Sequence, residues 1–196
     1  MDESAFETKV IAVTTAWLEN VVIGLNLCPF AKSIHVKQQI RHSVSFVNNR
    51  KALLEVFKRE SRELVAASPE QIESTLLIHP SVLEDFQDYL HFLVDCDAAL
   101  EELELVGIVQ VASFHPNYQF AGTAAEDVTN YSNRSPYPTL HLLRESSVTR
   151  AVESLPDAAA IYESNIATLN QIGKAGMEAM TAVLLAEPAT KPGTNA

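Results

Sequence analysis

Apolar residues recur at helical spacing near the start of the chain: Phe6, Val10, Ile11, Val13, Trp17, Leu18, Val21, Val22 and Leu25, with Glu7, Lys9 and Glu19 on other faces. That spacing predicts an amphipathic helix over residues 4–24. Gly24 and Asn26 supply stop signals, and Cys28-Pro29-Phe30 cannot continue it. The run 43–47, closed by Asn48-Asn49, reads as a strand, and Leu53, Leu54, Phe57 and Leu64 predict a helix over 50–67. Ser68-Pro69-Glu70-Gln71 looks like a capped helical turn. Thr75-Leu-Leu-Ile78 is a short buried strand ending in His79-Pro80, and a second long helix is expected over 81–105. A third strand, 107–114, ends in His115-Pro116. Helices are then expected over 139–154, 157–171 and 177–185, with Gly173 and Gly176 between the last two.

The order from 43 to 114 is strand, helix, strand, helix, strand. Single-helix crossovers bring neighbouring strands out parallel and right-handed. If the second and third strands are neighbours, His79 and His115 lie side by side on the carboxyl rim, where ligands bind in open α/β sheets. The expected fold is therefore α/β: a small, mainly parallel sheet of about three strands, covered by long helices, with a helical C-terminal part. A ferredoxin-like α+β arrangement is the alternative. Residues 1–187 are expected to form a single domain, and 188–196 a flexible tail.

Composition narrows the function. The net charge of −11 argues against nucleic acid as a partner, and no apolar run approaches the length of a membrane span. Charge is uneven: eight of the fourteen Lys and Arg fall between Lys32 and Arg62, opposed only by Glu55 and Glu60. Such a segment either pairs with acidic helices of the same protein or steers an anionic ligand. Two cysteines, Cys28 and Cys96, behind an acidic Met-Asp-Glu-Ser start read as a cytoplasmic protein with reduced thiols.

Candidate chemistry concentrates in residues 113–145, which hold two histidines, two arginines, three asparagines and three tyrosines. A polar loop hung from a buried strand is a natural place for function. Arg134 and Arg144 suit a carboxylate or phosphate through the guanidinium fork, and Asn133 and Tyr118 stand beside them as ligand-binding candidates. In the expected 139–154 helix, His141 and Arg144 would share one face, and the helix N-terminus would favour an anion. His115 and His141 are the candidate acid and base. Cys28 is a candidate nucleophile, although a helix C-terminal end disfavours a thiolate, so His115, His141 or an arginine would have to activate it. A buried Cys packed beside Pro and Phe is the competing reading. His79, His115 and His141 together could hold zinc or another divalent metal, without any compact zinc-binding signature.

Four segments, Gly24-Leu-Asn-Leu-Cys-Pro-Phe-Ala31, Thr75-Leu-Leu-Ile-His-Pro80, Val111 to Thr123 and Asn133 to Glu145, resemble a mainly bacterial family defined only as a domain of unknown function, DUF1415. The resemblance runs from the first helix to Leu169. The family's recurrent motifs fall on Cys28, His79, His115, Asn133, Arg134, His141 and Arg144, and the resemblance implies no activity, ligand or cofactor for them. The residues themselves point to an enzyme or binding protein for a small anionic metabolite. A metal-dependent hydrolase with histidine ligands and a non-catalytic interaction module are the alternatives.

Overall fold

The computed structural model describes residues 2–153 and 159–186. Helix α1, Glu3–Trp17, passes directly into a π-helical segment, Leu18–Ile23. Wide-turn bonds mark its end, Gly24 N–H to the Glu19 carbonyl and Leu27 N–H to the Val22 carbonyl, both at 2.9 Å. Asn26, at φ 55°, then stops the helix in the left-handed region that asparagine tolerates. A short helix not foreseen in the sequence, α2 (Ala31–Val36), leads to strand β1, Ile40–Val44.

Helix α3, Arg50–Ala66, is capped by Asn49, whose side chain accepts from the Ala52 N–H. Strand β2 (Ser74–Ile78) follows, and then α4, Phe86–Glu102. Helix α4 starts later than its apolar spacing suggests because Asp85 caps it, accepting from the N–H groups of Gln87 and Asp88. Strand β3 covers Val109–Phe114, and a 3-10 turn, Val128–Ser132, lies in the loop beyond it.

Residues Thr139–Arg144 form a strand, β4, and only Glu145–Glu153 are helical, as α5. This corrects the expected helix over 139–154. The last helix, α6, spans Ala159–Ala186 and breaks at Gly173, whose φ of 73° requires glycine. The expected tail, 188–196, lies outside the described residues. Among those described, no helix is long and apolar enough to cross a membrane.

The sheet is mixed, in the order β1-β2-β4-β3. Strands β1 and β2 pair parallel, while β4 runs antiparallel between β2 and β3. Strands β1, β2 and β3 therefore point the same way, as the two helical crossovers require. However, β2 and β3 are not neighbours, because β4 is inserted between them.

One face of the sheet carries α3 and α4. Leu53, Phe57, Leu64, Tyr89, Phe92 and Cys96 are fully buried there against Leu77, Leu140 and Leu142. Each large apolar side chain so buried contributes about 1.5–3 kcal/mol. The opposite face carries α1, the π segment and α6. Val10 packs on Leu76 and Ile78, and Trp17 meets Phe114 edge-on at 5.3 Å.

Candidate functional site

His79 and His115 do share the carboxyl rim, on the face occupied by α4. Their rings flank the Tyr89 ring at centroid distances of 5.9 and 5.1 Å. Both are fully buried and held by main chain. His79 Nδ1 donates to the Val82 carbonyl, and His115 Nε2 donates to the Leu83 carbonyl while its Nδ1 accepts from the Asn117 N–H. Together they tie down a turn in which Leu83 sits at φ 60°. Burial lowers both imidazoles from their usual value, His79 to about 4. With both ring nitrogens engaged, His115 has no free atom for acid–base work in this conformation.

His141 lies on the other face of the sheet. Strand alternation puts it opposite Leu76 on β2 and Ala112 on β3, away from Leu140 and Leu142. The metal set expected from His79, His115 and His141 is therefore divided by the sheet and does not converge. Among the described residues no group of three or more His, Cys, Asp or Glu has a geometry that could hold a metal ion.

The loop arginine is a clamp. Arg134 Nε donates to the Tyr118 carbonyl at 3.1 Å and Nη2 to the Ala125 carbonyl at 2.6 Å, with the guanidinium 4.6 Å above the Tyr131 ring. Asn133 Nδ2 donates to the Ser113 carbonyl, and the Tyr118 ring packs against Phe86 and Phe120. Buried Asn130, which the sequence did not single out, organises the same loop. Its Oδ1 accepts from the Phe120 N–H and the Thr123 hydroxyl, and its Nδ2 donates to the Ala124 carbonyl. An asparagine preceding Tyr131 gives no sequence signal for this, because the groups it satisfies come together only in the folded loop.

Arg144 is likewise committed. It pairs with Val109 on the α3 side of the sheet, and its guanidinium donates to the carbonyls of Leu64, Ala67 and Ile72. These close the C-terminal end of α3, where orphan carbonyls and the helix dipole favour a cation. The expected sharing of a helix face by His141 and Arg144, with an anion at that helix's N-terminus, is replaced by opposite faces of a strand. Much of the basic segment is also paired internally: Arg41 with Glu60, Arg50 with Asp95, and Lys58 with Glu102.

What the fold does build is a cavity of about 480 Å³ on the α1 face of the sheet. Its floor is Ile40, Ser74, Leu76, Ala112, Phe114, His141 and Leu143, contributed by all four strands. Trp17, Leu18 and Val22 of α1 and the π segment form one wall, and Cys28, Pro29 and Phe30 with α2 form another. Helix α5 closes it with Ser147, Val148, Arg150 and Ala151. Of the lining residues only Ser33 and Arg150 are exposed, so the opening lies between α2 and α5. The size is that of a small-molecule site.

Two sequence candidates, Cys28 and His141, thus meet in one cavity, although no hydrogen bond joins them. His141 Nε2 and Ser74 Oγ are both shut off from solvent without a hydrogen-bond partner. Burial, reinforced by nearby His42, lowers the His141 imidazole to about 4, so it is neutral near pH 7. Trp17 and Ser74 were not foreseeable as site residues, since an apolar helix residue and a strand-start serine carry no chemical motif. A smaller cavity of about 120 Å³ lies between Trp17, Tyr131, Arg134 and the end of α6, beside the committed guanidinium.

Comparison with curated proteins finds no match, and comparison with solved structures finds none. The model of the family described as a protein of unknown function, DUF1415, matches residues 9–179, and the chain belongs to that family.

Proposed function

We propose that the protein binds, as a carrier or an enzyme, a small and mainly apolar organic acid in the cavity between the sheet and the α1–α2 segment. The observation that carries this is a ligand-sized space with apolar walls and a neutral, buried imidazole in its floor. Apolar walls supply affinity by burying ligand surface, and the few polar groups set orientation. Charge is confined to the α5 end of the cavity. There Arg150 stands opposite the single lining carboxylate, Glu73, while the guanidinium of Arg144 is turned to the α3 side of the sheet. Arg150 is exposed at the opening and Glu73 is not, which favours an anionic group at the opening and the apolar body inside. Arg150 is the residue that would meet it, because it is exposed and, among the described residues, its guanidinium bonds the Ser147 hydroxyl alone.

Trp17, the sole tryptophan, lines the cavity and reports on occupancy. Titrating Trp17 emission with linear alkanoates should give saturable changes that alkylamines of equal length do not. Arg150→Gln should weaken alkanoate binding about threefold, as expected for one exposed charge. Equal responses to acids and amines would count against the anionic end, and no response to either would count against the cavity as a ligand site.

A further inference from the structure

We propose that the ligand carries an uncharged hydrogen-bonding group, a hydroxyl or a carbonyl, at the end opposite its carboxylate, which makes it a hydroxy or oxo acid. This rests on the reading of the cavity as an organic-acid site and extends it to the buried end.

Two residues of the floor, Ser74 and His141, carry polar atoms without partners, and His42 stands beside them on the same face of the sheet. Ser74 Oγ, His141 Nε2 and His42 Nε2 are all buried and lack hydrogen bonds. Register puts them on one face: His42 and His141 flank Leu76 from β1 and β4, and Ser74 lies two residues before Leu76 on the same strand. Ser74 is fully buried. A buried polar atom left alone carries a desolvation cost that a ligand group bonding to it would relieve.

Their chemistry selects the partner. A serine hydroxyl both donates and accepts, and a neutral imidazole does one at each nitrogen. A hydroxyl or carbonyl on the ligand can therefore complete the set. A second carboxylate cannot, because no cation lines the floor and burial penalises charge there. Burial lowers His141 to about 4, which keeps the floor uncharged near neutral pH, and burial lowers neighbouring His42 as well.

The test is calorimetric titration of the intact protein with three matched series from C4 to C10: alkanoates, ω-hydroxyalkanoates and α,ω-dicarboxylates. At one chain length the hydroxy acid should bind about tenfold more tightly than its alkanoate, the worth of one well-formed buried hydrogen bond. The dicarboxylate should be weaker than both. In Ser74→Ala the ratio of hydroxy-acid to alkanoate affinity should fall to about one, and His141→Leu, with melting checked, should lower the same ratio. If alkanoates bind and the hydroxyl confers no advantage at any length, the inference is overturned while the organic-acid reading stands. If none of the three series binds, the organic-acid reading fails and the inference falls with it.

Discussion

The indole Nε1 of Trp17 donates a 2.9 Å hydrogen bond to the main-chain oxygen of Arg134. One residue at the end of α1 thus roofs the cavity and anchors the loop that the sequence singles out. Trp17→Phe should keep most of the packing on Phe114 while leaving that oxygen without its donor. The expected cost is about 1 kcal/mol, read from urea unfolding followed by circular dichroism. An unchanged midpoint would mean that water replaces the bond and the loop is held by its other contacts alone.

Arg134 tests the difference between a binding arginine and a clamp. From the sequence, Arg134→Ala should abolish ligand response and spare the fold. From the structure, it removes two charge-assisted bonds to main-chain carbonyls and the stacking on Tyr131, and should destabilise the protein by about 2 kcal/mol. Arg134→Lys should recover little, since one ammonium cannot reproduce the fork. Alkanoate affinity measured on the fraction that remains folded should be near that of the parent. Normal stability with lost affinity would restore the loop as the binding site.

Stability should fall on mild acidification. Burial lowers His79 and His141 to about 4 and also lowers His42 and His115, from an unfolded value of 6.5. Between those values the unfolded chain binds more protons than the folded one, so the stabilisation is complete above pH 6.5 and is lost as pH drops toward 4. The urea midpoint should decline steadily from pH 7 to pH 4.5, and His141→Leu should make that decline shallower. A midpoint independent of pH over this range would show that the imidazoles are not buried as described.

The two cysteines should separate cleanly. Cys28 is half-buried in the cavity wall, whereas Cys96 is fully buried in α4 and burial pushes its thiol far up. Iodoacetamide should label Cys28 alone in the native protein, by intact mass and peptide mapping, and saturating alkanoate should slow that labelling. Labelling that is indifferent to alkanoate would detach Cys28 from the occupied space.

Long, strongly periodic elements were legible in the sequence: α1, α3 and α4 stand close to where their apolar spacing put them, and His79 and His115 reach the same rim. The strand β4 was not. Leu140, Leu143 and Arg144 run on at near-helical spacing into Val148 and Val152 of α5, so the helix pattern extended backwards over a strand. What decides the matter is pairing with β2 and β3, strands more than twenty residues away in sequence. That one misassignment moved His141 and Arg144 together, because successive strand residues face opposite ways while residues three apart on a helix do not. Cys28 and His141 were chosen for their chemistry, but nothing local says that they line one space with Trp17 and Ser74. The cavity exists only where four strands, the π segment and three helices meet.

In the proposed function the α1 face of the sheet, and not the His79–His115 rim, receives the ligand. Long-range proton–nitrogen NMR of the imidazole rings reads both faces in one spectrum. On addition of the tightest-binding alkanoate, the ring signals of His141 and then His42 should move, while those of His79 and His115 stay in place. Movement of His79 and His115 with His141 unchanged would contradict the claim and return the site to the rim.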